Sequence, residues 1–205
     1  MGPVNESDEI ESVLEFWFGA CGADGSIDPT RRRMWFKDGK LYDAEIRSRF
    51  GELHERASRG TLDDWARTAR GRLALIIVLD QFSRHIHRGT PRAFALDGAA
   101  QVLALAGIDN DVDLRLLPVQ RAFFYLPFEH AEDRALQERG VRRHEQLVAT
   151  VTDEWRKDYE SFLDFAQRHR AIIERFGRFP HRNVALGRHS TPEEIAFLQQ
   201  PGSSF

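Results

Sequence analysis

Apolar residues along this chain recur three and four positions apart, the spacing of one buried helix face, and almost nowhere in the strict alternation of a half-buried strand. Val13, Phe16 and Trp17 mark the first such face, within 8–18. A second stretch, 40–58, carries Leu41, Ile46, Phe50, Leu53 and Ala57 and stops before Gly60. Thr61, with Asp64 three positions on, predicts a capped short helix around Trp65. The segment 71–86 is apolar on nearly every side and predicts a central helix enclosed by others. Thr90 and Pro91 supply an N-cap and a first-turn proline for a helix over 91–106 that ends at Gly107.

Pro118 opens a helix interrupted by Pro127, and 133–150 and 157–176 predict two more, the last ended by Gly177. Pro180, Asn183 and Gly187 make 178–190 a loop, and Thr191 with Glu194 forms a capping box for a final helix. The pattern therefore predicts an all-α fold of about eight or nine helices in stacked antiparallel pairs, without a clean internal period. Trp17, Leu73, Ile76, Ile77, Leu79, Phe82, Phe94, Phe124, Phe128, Ile172 and Phe176 are its expected core.

Composition narrows the picture. At 205 residues and 41% apolar content the chain fits one sizeable core, so a single domain over 1–205 is expected. A formal net charge of -3 provides no global basic field for nucleic acid or an anionic membrane. The longest apolar runs fall short of the roughly 18 to 20 residues of a membrane span, and the acidic N-terminus does not resemble a signal peptide. These features predict a soluble cytoplasmic protein. Cys21 is the only cysteine, which excludes an internal disulfide and a thiolate metal cluster, and it reads as an incidental loop residue. No sequence motif calls for a cofactor, since the P-loop, the dinucleotide-binding glycine motif, the nucleophile elbow and the His-Glu-x-x-His motif are all absent.

Four polar segments interrupt this pattern. Asp80, Gln81 and Arg84 extend the most apolar helix, with Asp80 and Arg84 four apart on one face. Beside so much apolar surface, an unpaired charge would be costly, so pairing within the protein and a ligand-facing role both fit them. Pro127 must disturb the helix whose end carries Glu129 and His130, with Tyr125 and Arg121 one and two turns earlier. Glu129 with His130 or His181 suits general acid-base chemistry. Adjacent helical residues diverge by about 100°, and no His-x3-His or Glu-x2-His pair is present, so no metal ligands are assigned. The third and fourth segments run together between Arg168 and His189, which hold six arginines and three histidines against Glu174 alone, a local formal charge of +5. His169 shares a face with apolar residues, whereas His181, Arg182 and Asn183 follow a rigid turn in a loop, where binding residues concentrate. Together with Arg84 and Arg121, they suggest a pocket for a carboxylate or phosphate ester.

The stretches VLEFWFG (13–19), GRLALIIVLDQFSRHIHRGTPRAFALD (71–97), FFYLPFEHAED (123–133), HRAIIERFGRFPHRN (169–183) and LGRHSTPEE (186–194) together resemble the bacterial domain of unknown function 924 over nearly the whole chain. The resemblance implies an all-α stack similar to tetratricopeptide-repeat proteins and carries no reaction, substrate or cofactor. Ser83 departs from the proline of a DQFPR-like stretch, and His85 and His87 from NIFR-like residues, so neither histidine is assigned a role. Two functional readings follow. One is a binding module for a small anionic ligand or peptide tail, using Asp80, Gln81, Arg84, Arg121, Tyr125, His169, Arg182 and Asn183. The other is an enzyme acting on a small polar metabolite through Glu129, His130 and His181. Neither reading involves nucleic acid or a membrane, and a homo-oligomer stays open.

Overall fold

A computed structural model describes residues 5–203, and every regular element among them is helical, as the periodicity predicts. Helix α1 (Glu6–Phe18) is capped by Asn5 and buries Val13, Phe16 and Trp17. Helix α2 (Pro29–Phe36) has no counterpart in the sequence expectation. Its Asp28 side chain accepts from the Thr30 and Arg31 amides, and proline at the first helical position suits the start. With Met34 as its buried residue, α2 lacks the apolar stripe that would reveal it. Helix α3 (Asp43–Ser58) follows a single 3-10 turn, Gly39–Tyr42, where the sequence suggested continuous helix from residue 40.

The central apolar segment is helical throughout, as α4 (Ala69–Ile76), a π-helical stretch (Ile77–Phe82) and α5 (Ser83–Ile86). Its side chains from Leu73 to Leu79 are all buried. The Thr90 and Pro91 start gives a 3-10 turn only, Pro91–Ala93, and the chain re-enters helix at α6 (Asp97–Asp109). Gly107 does not stop α6. It lies inside the helix, where an added Cβ would stand 2.4 Å from the Phe124 ring and 3.0 Å from Arg72 Cδ. This glycine therefore permits close packing of α6 on its neighbours.

Helices α7 (Pro118–Glu129), α8 (Arg134–Val148) and α9 (Arg156–Phe176) pack successively as antiparallel pairs. Pro127 lies inside α7, which persists for two more residues. Gln137 of α8 then donates through Nε2 to the Glu129 and Ala131 carbonyls at 2.6 and 2.8 Å, satisfying acceptors that the helix end leaves open. Gly177 ends α9 in the left-handed conformation, with φ of 69°. Thr191 and Glu194 complete the expected capping box of α10 (Pro192–Leu198).

Trp17 sits edge-on to Phe82 and Phe123 in the principal core, and a smaller cluster joins Ile172, Ile173 and Phe179. Of the expected core residues, Phe94 and Phe176 alone are half-buried rather than buried. Both rings carry a guanidinium, Arg182 over Phe94 at 4.7 Å and Arg175 over Phe176 at 4.7 Å. No helix among the described residues is long and apolar enough to cross a membrane.

Candidate functional site

The π-helical stretch holds the first site residue. Such stretches, whose backbone hydrogen bonds span i to i+5, are rare and recur at functional positions. Asp80 lies within it, wholly buried. One turn on, Arg84 Nη1 donates to the Asp80 carbonyl at 2.9 Å and stands 3.2 Å from its carboxylate. His130, at the C-cap of α7, donates through Nδ1 to Asp80 Oδ1 at 2.7 Å, and Gln81 Nε2 donates to Oδ2. Burial alone would raise the Asp80 carboxyl, but the charges of Arg84 and His130 outweigh it and hold the group well below the usual carboxylate range.

Asp97, in the first turn of α6, gathers the arginines. Arg84 reaches its two oxygens in a fork at 2.9 and 3.1 Å, and Arg182 Nη1 reaches Oδ2 at 3.1 Å. Arg182 comes from the turn Pro180–Arg182 and lies between two rings, with its guanidinium carbon 4.7 Å from the Phe94 centroid and 4.5 Å from that of Phe179. Its Nε is buried without a hydrogen-bond partner. Burial, followed by the neighbouring Arg84 charge, pushes the Arg182 guanidinium down to about 10, against the opposing pull of Asp97 and Glu132.

These groups border a cleft of about 260 Å³, lined by Phe94, Asp97, Gln101, His130, Glu132 and Arg182 among others. The loop that delivers Arg182 is pinned from below. Glu132 accepts from the Phe179 amide at 2.8 Å and from both Arg188 amino groups at 2.7 and 2.9 Å. Asn183, fully buried, donates to Ser190 Oγ at 3.0 Å and accepts from Arg188 Nε at 2.9 Å. Its contacts are those of a loop fastener.

Glu129 and His130, adjacent in sequence, turn to different surroundings. His130 meets Asp80 and the cleft, whereas Glu129 is 2% exposed and faces the α8–α9 interior. There its Oε1 stands 2.7 Å from His144 Nε2 without hydrogen-bond alignment, and its Oε2 stands 3.7 Å from His169 Nδ1. His169 Nδ1 donates to the Phe165 carbonyl at 2.8 Å. Its ring lies 6.0 Å from that of His130 and 5.6 Å from Phe179, which in turn lies 5.6 Å from His181. Burial holds both histidines down, His169 to about 4 despite Glu129, and His181 to about 3 with the Arg182 charge adding to the effect.

Arg121 and Tyr125 form a chain of their own. Arg121 Nε donates to Tyr125 Oη at 3.2 Å, and the hydroxyl donates to Asp113 at 2.6 Å. Neither lines the cleft. Of the residues singled out by sequence, the structure thus gathers Asp80, Gln81, Arg84, His130 and Arg182, sets His169 and His181 beside them, and places Glu129, Arg121, Tyr125 and Asn183 in other surroundings. Sequence reasoning missed Asp97 and Phe94. An acid in the first turn of a helix reads as a dipole partner, and nothing local marks its use by an arginine 85 residues later.

The apparent excess of positive charge between Arg168 and His189 is also resolved. Glu194 takes Arg178, Asp97 takes Arg182, Glu132 takes Arg188 and Glu193 takes Arg175, all from outside that window.

The model of a bacterial protein family of unknown function, DUF924, matches residues 13–202 of this chain. A solved structure of a protein of unknown function from Agrobacterium tumefaciens, ATU0120, is similar at 35% identity and a TM-score of 0.80, covering 95% of this chain and 99% of that one. No curated protein matches this chain.

Proposed function

Because the chain belongs to the DUF924 family of bacterial proteins of unknown function, which passes on a fold and no reaction, we propose from the cleft alone that the protein is a binding module for a small ligand carrying an anionic group. The observation that carries this reading is the sharing of one carboxylate, Asp97, by two arginines, one of them stacked between phenyl rings. Arg84 also meets Asp80, whereas Arg182 has only a share of Asp97 and an unpartnered Nε, which leaves it donor capacity to spare; burial, and after it the neighbouring Arg84 charge, makes Arg182 hold its proton less tightly than an ordinary arginine. A carboxylate or phosphate ester entering beside Phe94 and His130 would take up that capacity, and Glu132 and Gln101 would meet polar groups elsewhere on the ligand. The C-terminal carboxylate of a peptide tail offers the same chemistry.

One observation favours catalysis as a second reading. Asp80 accepts the Nδ1 proton of His130 and so leaves Nε2 as the basic ring nitrogen, the arrangement by which a carboxylate orients a histidine general base. In this reading His130 takes the role of base, and buried Glu129, which faces His144 and His169, does not line the cleft.

Thermal-shift and calorimetric titration against small carboxylates, phosphate esters and short peptides tests both readings on wild type, Arg182→Lys and His130→Gln. An anion that stabilises wild type and loses at least about tenfold in affinity with Arg182→Lys, at least about 1.4 kcal/mol, supports the module. Binding retained but turnover abolished in His130→Gln supports the enzyme. No anion binding by a normally folded wild type overturns both.

A further inference from the structure

Away from the cleft, His54 of α3 is 2% exposed, and its Nε2 lies 2.8 Å from Ser83 Oγ. The serine hydroxyl has a single proton and gives it to the Leu79 carbonyl at 2.5 Å. Its oxygen therefore accepts, and His54 Nε2 must be the N–H donor. That fixes the tautomer and puts the ring's lone pair on Nδ1, a buried atom without a hydrogen-bond partner. A second such atom is close by. The ring of His87, just past the end of α5, stands 5.1 Å from that of His54, and its Nε2 is likewise buried and unpartnered. Glu55 adds a carboxylate, and one ligand atom from each of His54, Glu55 and His87 lies within 4.8 Å of the other two.

We propose that His54, Glu55 and His87 bind a divalent transition-metal ion, Zn²⁺ being the best matched, through two imidazole nitrogens and one carboxylate oxygen, with water in the remaining position. A buried imidazole whose other nitrogen donates to a fixed acceptor is the state in which histidine ligates a metal, and Ser83 supplies that acceptor. Two nitrogens and an oxygen suit Zn²⁺ and its neighbours rather than Mg²⁺ or Ca²⁺, which prefer oxygen throughout. Zn–N distances of about 2.0 to 2.1 Å would draw the three donor atoms to roughly 3.4 Å from one another. His54 is held by Ser83, and the closing movement falls to the others. Glu55 has a side chain 45% exposed, and His87 sits at a helix end.

Arg92 now takes one oxygen of Glu55 at 2.6 Å, and at 60% side-chain exposure it can yield to water when a dication arrives. The site did not emerge from the sequence because its ligands come from α3 and from the turn after α5, 32 residues apart or more, without a local spacing. Ser83 and His87 are also two of the positions where the DQFSRHIHR stretch departs from its family resemblance, so the site is assigned to this chain and not to the family.

The test is a titration of chelator-treated full-length protein with Zn²⁺ in competition with a chromophoric chelator, with the Co²⁺ absorption spectrum as a readout of coordination. His54→Ala removes a buried ring and risks the fold, so the decisive variants are His87→Ala and Glu55→Gln, whose side chains reach the surface. The expected result is one Zn²⁺ per chain with a raised melting temperature, at least about tenfold weaker binding in each variant, and unchanged melting of the variants without metal. Absence of micromolar Zn²⁺ binding by the wild type, or equal binding by both variants, would overturn the proposal.

Discussion

Replacing Asp97 with Asn removes a carboxylate shared by two cations, Arg84 and Arg182. The carboxylate receives three charged hydrogen bonds, two from Arg84 and one from Arg182, and is 7% exposed. Charge-assisted bonds contribute about 1.5 to 3 kcal/mol each, but three on one shared group do not add. Removal of one partner from a buried pair costs about 3 to 5 kcal/mol. Arg84 keeps the Asp80 carboxylate at 3.2 Å, which trims the loss, whereas Arg182 keeps no ion pair among the described residues. A destabilisation of about 4 kcal/mol follows, equivalent to a melting temperature lower by about 8 to 16 °C for a chain of this size. The assay is urea unfolding near pH 7 and low salt, with the midpoint shifted and the slope unchanged. A companion variant isolates the cause. Arg182→Met retains an apolar stem between Phe94 and Phe179, so the double variant Asp97→Asn/Arg182→Met should be at least about 1 kcal/mol more stable than the two single costs sum to. A cost below about 1 kcal/mol for Asp97→Asn, or strict additivity in the double variant, would refute the idea that charge balance around Asp97 holds this site together.

Acid should weaken the fold before carboxylates titrate. His169 and His181 have folded-state values near 4 and 3 against an ordinary 6.5, so the unfolded chain takes up protons first. Their contribution is intact above about pH 6.5 and is lost on descent toward the folded values, by up to about 1.4 kcal/mol per pH unit per histidine. Asp80 and Glu132, held low by their cationic partners, extend the loss below about pH 4. Equal urea stability at pH 7 and pH 5 would contradict this. Gly107→Ala should destabilise by about 1 to 3 kcal/mol in thermal unfolding, because the Phe124 contact outweighs the usual helical preference for Ala. A gain in stability would show that the α6 contact yields easily. Tyr125→Phe leaves Asp113 without its donor and should cost about 1 to 3 kcal/mol in urea while leaving anion affinity at the cleft unchanged. An altered affinity would place the Arg121–Tyr125 chain within the site after all.

The helices were legible wherever a stop or start acts through the backbone. Gly177 must adopt positive φ, and Thr191 with Glu194 caps reciprocally, so both ends were readable from local chemistry. Gly107 shows the limit. A glycine at the end of an apolar run reads as a cap, yet here it is retained inside α6 to admit the Phe124 ring, a demand set by another helix. The π-helical stretch at Ile77–Phe82 left no trace in periodicity either, because the segment is apolar on all sides and a shifted phase changes no burial.

The same distinction governs the site. Pairing of Asp80 with Arg84 could be anticipated, since a four-residue spacing puts both on one face. The orientation of His130 toward Asp80, and of Glu129 toward His144, could not, because adjacent side chains diverge and their partners lie on other helices. Charge counted within a window misleads for the same reason. The six arginines between Arg168 and His189 suggested an anion pocket through their number, but acids from α6, α10 and the Glu132 turn neutralise most of them. What favours an anion at the cleft is different and smaller in extent: Arg182 is buried between rings, shares its counter-ion with Arg84 and loses proton affinity as a result. A surface excess of charge is screened within about 10 Å at ordinary ionic strength, whereas a desolvated, half-compensated guanidinium is not, and it is the second that can select a ligand.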